Sequence, residues 1–305
     1  MRKLIVLLTA ITLVSACKEE TKKEDAIKLE SQKDRLSYAF GADNGHAIAN
    51  SGDPHYAKYD LDKITAGFTI GMKDENSFDE DCQSTLRKLY GETGRDFNEE
   101  FADKGCECLG KLSSVIFQNT WKKKGGLEFF DEKMVVAGFK ASLNKADTIV
   151  SRQDQMELIS NFIEDMNQKN GAKLLASAAE KPNTINVDGL IVETILEGKG
   201  KSPMETDKVQ ANYILMNAVG DTMENSFVYE QQSGKQIDPF QLDQVIPGWA
   251  IGMQKMKEGG KYKLYIPYNL AYGAQGIFNQ QRNAYDIQPY ETLQFYVELN
   301  KVIKD

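Results

Sequence analysis

The sequence is poor in histidine, in clusters of basic residues and in long hydrophobic runs. Its 305 residues include two histidines, His46 and His55, and neither lies near a cysteine or a carboxylate pair at metal-ligand spacing. We therefore expect no metal site and no cofactor. The 37 basic residues against 45 acidic ones give a net charge of −8, with no basic block above that background. Nucleic acid and anionic lipid surfaces are therefore poor candidate partners.

The one strongly apolar run, residues 4–14, is too short to be a transmembrane helix, which needs about 20 apolar residues. It follows the basic pair Arg2-Lys3 and precedes small residues, so residues 1–17 have the pattern of a signal peptide. Val14-Ser15-Ala16-Cys17 resembles the lipobox of bacterial lipoproteins, in which the cysteine becomes the acylated first residue. Secretion with ordinary cleavage after Ala16 is the alternative.

Residues 18–33 begin with a charged stretch that has no apolar period, and we predict that they form a solvated tether. Cys-Lys-Glu-Glu at 17–20 is also similar to an export tag that sends lipoproteins of one group of diderm bacteria to the outer face. The sequence thus predicts an envelope protein of a diderm bacterium, anchored to the outer membrane by lipid. We expect it on the periplasmic side, with the cell surface as the alternative.

Three cysteines remain after Cys17, namely Cys82, Cys106 and Cys108. In an oxidising compartment they can form one disulfide and leave one thiol. A bridge from Cys82 to one of the other two is favoured over a strained bridge between Cys106 and Cys108. The alternative is that all three are small buried apolar residues.

The segment after the tether is predicted to form two helical repeats, residues 34–110 and 111–182. The first repeat carries Tyr59-Asp60 and Ala66-Gly67-Phe68, and the second carries Phe130-Asp131 and Ala137-Gly138-Phe139 at the same spacing. Two further matches are Leu36-Ser37 with Leu112-Ser113, and Ser77-Phe78-Asp79-Glu80 with Ser151-Arg152-Gln153-Asp154. Both members of the last pair have the Ser-x-x-acid form of a helix start.

A longer amphipathic stretch begins near Met156 and is expected to stop at Lys181, because Pro182 cannot continue a helix. About 28 helical residues would span roughly 40 Å. We expect such a helix to hold the last domain well away from the repeats.

From Gly189 the apolar period changes to two, as in Val209-Ala211-Tyr213-Leu215 and Leu293-Phe295-Val297-Leu299. Between these strands we predict a short helix, with Pro247 at its start and Gly259-Gly260 past its end. Residues 183–305 are therefore predicted to be an antiparallel β half-barrel around one short helix. With the helical region before it, the fold class is α+β.

The order of motifs in this domain matches the FKBP family over its whole length: Gly189-Leu190, Val245-Ile246-Pro247-Gly248-Trp249, Gly259-Gly260-Lys261, Ile266-Pro267, Leu270-Ala271-Tyr272-Gly273 and Thr292-Leu293-x-Phe295-x-Val297-Glu298-Leu299. The helical region resembles the N-terminal domain of Mip-type isomerases through Leu36-Ser37-Tyr38-Ala39-Phe40-Gly41 and the long helix. Those proteins carry one helical unit per chain and dimerise through it. Two units in one chain predict a monomer with an internal pseudo-dimer, with a homodimer as the alternative.

The resemblance implies peptidyl-prolyl cis-trans isomerase activity on proline-containing polypeptides. It makes Trp249 the floor of a proline pocket, Tyr272 a hydroxyl donor to a substrate carbonyl, and Phe295 a wall, and these are the candidate catalytic residues. The Ile246 amide is a second candidate donor. The remaining candidate substrate-binding residues are Tyr213, Met223, Glu224, Val245, Ile246 and Ile287.

Several positions depart from the family pattern. Met223-Glu224 replaces the usual Phe-Asp, and we expect the glutamate to be one methylene too long to bond Tyr213 as the aspartate does. Asp238 falls where an apolar residue is usual, the loop 274–290 is long, and Ile287-Gln288-Pro289 replaces Ile-Pro-Pro. We expect isomerase activity below that of a chain with Phe-Asp. A binding module or holdase chaperone with little catalysis is the alternative function.

The lipobox can be tested directly, because acylation requires the thiol of Cys17. Replacing Cys17 with Ser is expected to release the protein from the membrane fraction or to block its processing, as followed by fractionation and electrophoretic mobility. Membrane retention and processing identical to the wild type would contradict a lipid anchor.

Overall fold

The computed structural model describes residues 27–91, 93–94, 96–146, 149–282 and 284–304. The predicted signal peptide, the lipobox with Cys17 and the tether as far as residue 26 lie outside these residues. Within the described ranges, no helix is both long and apolar enough to cross a membrane.

The N-terminal region is helical, as predicted. Its helices are α1 (Gln32–Ala49), α2 (Leu61–Lys73), α3 (Glu80–Tyr90), α4 (Ala102–Lys123), α5 (Glu132–Leu143) and α6 (Arg152–Ala179). Five of them begin at a side chain that accepts a hydrogen bond from a first-turn N–H, which satisfies a backbone group left free by the helix. These N-caps are Ser31, Asp60, Asp79, Asp131 and Ser151.

The helices pair across the two repeats: α1 packs against α5, and α2 packs against α4. The backbones touch at four glycines, where an added Cβ atom would lie within 2.0 Å of a carbonyl oxygen on the facing helix. These glycines are Gly41, Gly67, Gly110 and Gly138. At the centre, the rings of Phe68 and Phe139 stack with centroids 3.8 Å apart and planes 8° apart. The two repeats therefore share one core.

This cross-packing corrects two details of the predicted repeat. The boundary between residues 110 and 111 falls inside the continuous helix α4. Gly41 on α1 meets Val135 on α5, and Gly110 on α4 meets Ile64 on α2, so these two glycines are equivalent. Ser37 lies four residues before Gly41 and is therefore equivalent to Cys106, which lies four residues before Gly110, and not to Ser113. The match of Leu36-Ser37 with Leu112-Ser113 is therefore wrong.

The predicted helix start at Ser77 is also wrong. Asp79 is the N-cap of α3, and its side chain accepts from the Cys82 N–H at 2.8 Å. The equivalent prediction at Ser151 holds, since its hydroxyl accepts from the Asp154 N–H at the start of α6.

A disulfide joins α3 to α4 and resolves the pairing that the sequence leaves open. Cys82 bonds Cys108, with Cα atoms 5.2 Å apart, and Cys106 is a buried free thiol. Because this bridge closes a separation of 26 residues, it restricts the unfolded chain and stabilises the short helix α3 against α4.

Helix α6 has 28 residues and belongs to both halves of the molecule. Phe162 and Met166 lie in the helical core, whereas Leu174, Leu175 and Ala178 pack against the outer face of the β domain. Lys123 at the end of α4 also forms an ion pair with Asp221 of the β domain. The expectation that α6 holds the last domain well away from the repeats is therefore wrong.

The β domain is an antiparallel sheet wrapped around a short helix, as predicted. Its strands are β1 (Thr184–Val187), β2 (Leu190–Leu196), β3 (Lys208–Met216), β4 (Thr222–Asn225), β5 (Phe240–Gln241), β6 (Lys261–Ile266) and β9 (Leu293–Ile303). They follow the spatial order β1-β2-β6-β9-β3-β4, with β5 paired to β3. Helix α7 (Ser226–Ser233) follows β4, and helix α8 (Pro247–Met253) lies against β6.

The long loop 274–290 contains a hairpin of its own. Strands β7 (Ile277–Asn279) and β8 (Ala284–Ile287) pair with each other and not with the main sheet. Ile277 and Ile287 anchor the base of the hairpin in the core of the domain, while Phe278 and Tyr285 are exposed near its tip.

Candidate functional site

The half-barrel encloses a pocket of about 530 Å³ between helix α8 and the strands β3 and β9. Its lining is mainly apolar and aromatic. The lining residues are Tyr213, Leu215, Glu224, Ile237, Phe240, Gln244, Val245, Ile246, Trp249, Tyr272 and Phe295.

Trp249 forms the floor of the pocket and is 5% exposed. Its position follows from two glycines of α8, since a Cβ atom on Gly248 would lie 2.3 Å from Ile266 and one on Gly252 would lie 2.6 Å from Leu264. The helix can therefore lie directly on β6, with the indole turned into the pocket.

Three rings stand around the indole of Trp249. The ring centroids of Tyr213, Phe240 and Phe295 lie 5.3, 5.5 and 5.1 Å from it, and the Tyr213 and Phe295 rings meet it edge-on. Such aromatic contacts favour a rigid, water-excluding wall. The result is a cavity suited to a small apolar ring.

The Tyr213 hydroxyl donates to Glu224 Oε1 at 2.5 Å. The expectation that this glutamate is too long to bond Tyr213 is therefore wrong, because its extra methylene lets the carboxylate reach back from β4 to β3. Burial, followed by the bond to Glu224, raises the pKa of Tyr213. The phenol therefore stays protonated and fixed against the wall at neutral pH.

The Tyr272 hydroxyl faces the pocket from the other side, just after the turn Tyr268–Leu270. Its side chain is 38% exposed, and burial together with the charge of Glu224 raises its pKa. No hydrogen bond within the described residues involves this hydroxyl, so it is free to donate to a ligand.

The Ile246 backbone offers a second donor at the pocket. Ile246 is the N-cap of α8, and its carbonyl accepts from the N–H groups of Trp249 and Ala250. Its own N–H has no acceptor among the described residues. Carbonyl groups of a bound ligand can therefore meet two separate donors, the Ile246 N–H and the Tyr272 hydroxyl.

Seven of the nine candidate residues in the β domain line this pocket, namely Trp249, Tyr272, Phe295, Tyr213, Glu224, Val245 and Ile246. Met223 and Ile287 lie outside the lining. Met223 packs against the domain core, and Ile287 is 5% exposed within it. This hydrophobic core also contains Trp249 and Phe295.

The sequence prediction missed Leu215, Ile237, Phe240 and Gln244 as lining residues. Leu215 was detectable, because it shares the alternating face of Tyr213. Ile237 and Phe240 could not be detected, because their segment has no apolar periodicity. Its strand β5 has only two residues, and its place is set by pairing with β3. In the described part of the chain, no group of three or more His, Cys, Asp or Glu side chains could hold a metal ion.

Comparison with known proteins identifies the β domain. Residues 199–300 match the family model of FKBP-type peptidyl-prolyl cis-trans isomerase. The isomerase FkpA of Escherichia coli is 38% identical over 122 residues, which cover 40% of this chain and 41% of that protein. This chain thus spans less than half the length of that relative.

Two relatives extend the similarity into the helical region. A probable FkpA of Neisseria meningitidis is 29% identical over 195 residues, which cover 59% of this chain and 67% of that protein. The outer membrane protein MIP of Legionella longbeachae is 26% identical over 211 residues, covering 64% and 85% respectively. The C-terminal domain of the chain belongs to the FKBP-type peptidyl-prolyl cis-trans isomerase family.

Proposed function

We propose that the chain catalyses the cis–trans isomerisation of X-Pro bonds in polypeptides of the bacterial cell envelope and so assists their folding. The observation that carries the proposal is the aromatic pocket floored by Trp249, with the free donors Tyr272 and Ile246 at its rim.

The reaction needs rotation rather than bond cleavage. Peptide resonance sets a barrier of about 18–20 kcal/mol, and the twisted amide loses that resonance and much of its charge separation. A pocket that removes the proline ring and its amide from water therefore favours the twisted form over the planar one. Neither a nucleophile nor a proton acceptor is required.

Each part of the site has a role in this scheme. Trp249, Phe240 and Phe295 take up the proline ring, because their apolar surfaces exclude water. Ile246 N–H and the Tyr272 hydroxyl hold the flanking carbonyls, so that rotation about one bond does not carry the whole peptide with it. The Tyr213 ring, whose hydroxyl donates to Glu224, completes the aromatic wall around the proline ring.

The cell envelope is supported as the location by two observations. The Cys82–Cys108 disulfide is of the kind that persists in oxidising compartments. One relative of this chain is named an outer membrane protein. Anchoring through an acylated Cys17 is the attachment that fits both, and it accounts for the small residues ahead of that cysteine.

Tyr272→Phe is expected to lower kcat/KM for a short proline peptide about fivefold, because one neutral hydrogen bond to the substrate is lost. Tyr285→Phe is the matched control, since Tyr285 is exposed on the hairpin and is not part of the pocket lining. Equal rates for both variants would remove the Tyr272 hydroxyl from the mechanism. A wild-type chain that binds the peptide without accelerating isomerisation would favour the binding-module alternative.

The Tyr213–Glu224 bond yields a second expectation. Glu224→Ala removes the acceptor and is expected to lower kcat/KM about threefold, whereas Glu224→Gln keeps a carbonyl acceptor and retains most of the rate. Steady-state rates on the same peptide compare the two variants. An equal loss in Glu224→Gln and Glu224→Ala would show that the negative charge matters, since both variants lack it, and not the acceptor that positions Tyr213.

We further propose that the chain is a monomer. Both partners of the α1–α5 and α2–α4 pairs come from one chain, so the helical core is closed without a second copy. Light scattering on the acyl-free protein is expected to give a mass near 34 kDa. A mass twice as large would favour the homodimer.

A further inference from the structure

A strained turn at residues 288–291 is hydrogen-bonded to Gly273, the residue that follows Tyr272. Tyr290 has a φ of +56°, in the left-handed region that bulky side chains rarely adopt. Two hydrogen bonds close the turn. The Glu291 N–H donates to the Gln288 carbonyl at 3.3 Å, and the Gln288 N–H donates to the Glu291 carboxylate at 3.2 Å. Such a conformation persists only where its surroundings hold it, and functional sites are where it is commonly found.

One peptide group in this turn is bonded at both ends. The carbonyl of Pro289 accepts from Asn167 Nδ2 at 2.9 Å, and the N–H of Tyr290, on the same peptide group, donates to the Gly273 carbonyl at 3.1 Å. Carbonyl and N–H of a trans peptide point in opposite directions. A continuous row of hydrogen bonds therefore runs from helix α6 to the residue that follows Tyr272.

Asn167 is built into the interface between the two domains. Its side chain is 5% exposed and lies on α6, one turn before Gly171. A Cβ atom on Gly171 would lie 2.2 Å from Thr292 Oγ1, so the glycine lets the helix approach the end of the turn. This close approach brings the Asn167 amide within reach of the Pro289 carbonyl.

We propose that Asn167 is a positioning residue for the isomerase site: it fixes the Pro289–Tyr290 peptide and, through Gly273, the place of the Tyr272 hydroxyl. The inference rests on the proposed function for its catalytic consequence. It assigns the helical region a part in the site, since Asn167 belongs to the same helix that completes the helical core.

The test compares substitutions in the full chain. Asn167→Ala removes the donor, and Asn167→Asp keeps the shape but sets a carboxylate oxygen against the Pro289 carbonyl. Asn170→Ala is the matched control, because Asn170 donates from the same helix to the Lys124 carbonyl at 3.0 Å and not to the β domain. Each protein is measured for kcat/KM on a short proline peptide, for melting temperature and for amide exchange at Tyr290.

Both Asn167 variants are expected to exchange the Tyr290 amide faster and to lose kcat/KM by about five- to tenfold, as expected for a loosely supported site. Asn170→Ala should change neither, even where its melting temperature falls as far as that of Asn167→Ala. Loss of kcat/KM in the two Asn167 variants alone separates positioning from general destabilisation.

Three results would overturn the inference: Tyr290 exchange as slow as in the wild type, faster exchange with unchanged kcat/KM, or an equal loss of kcat/KM in Asn170→Ala. A wild-type chain without isomerase activity is a different failure, because it removes the proposed function. Tyr290 exchange then still decides whether Asn167 holds the turn.

Discussion

The structure depends on helix α6 being buried at both ends. Its first half completes the helical core through Phe162 and Met166, and its second half covers Ile191 and Tyr265 on the outer face of the sheet. Apolar burial on both sides makes one helix a common element of two domains. Polar contacts fix the register, since Lys181 bonds both Glu193 and Tyr265 at the end of the interface. The β domain is thereby held against the helix that joins it to the helical region.

The shared core of the helical region follows from close backbone contact. Glycines at the α1–α5 and α2–α4 crossings let helices from different repeats touch, and the Phe68–Phe139 stack fills the centre. The second repeat ends in the long helix α6, which leads into the β domain, whereas the first ends in the short, disulfide-linked α3. The chain therefore has two helical repeats but one β domain. The proposed monomer accounts for this asymmetry.

Most of the β domain could be predicted from sequence, because its motifs lie at fixed points of strands and of one short helix. Trp249, Tyr272 and Phe295 reach the pocket for that reason. The Tyr213–Glu224 bond could not be predicted, since it depends on how a flexible side chain crosses between strands. The match of Leu36-Ser37 with Leu112-Ser113 is wrong because shared residue types do not report which positions meet the facing helix, as Gly41 and Gly110 do. The packing of α6 on the sheet could not be predicted, because an amphipathic pattern shows that one face of a helix is covered but not which surface covers it.

Under the proposed function, this pocket rotates proline bonds and does not merely bind them. Exchange NMR on an unmodified proline peptide, with a small amount of the full chain, measures this most directly, because cis and trans signals are observed at equilibrium. A catalytic pocket is expected to give exchange cross-peaks between the two isomers well within the uncatalysed time of about tens to hundreds of seconds. Shifted peptide signals without any such cross-peaks would mean binding without catalysis and would contradict it.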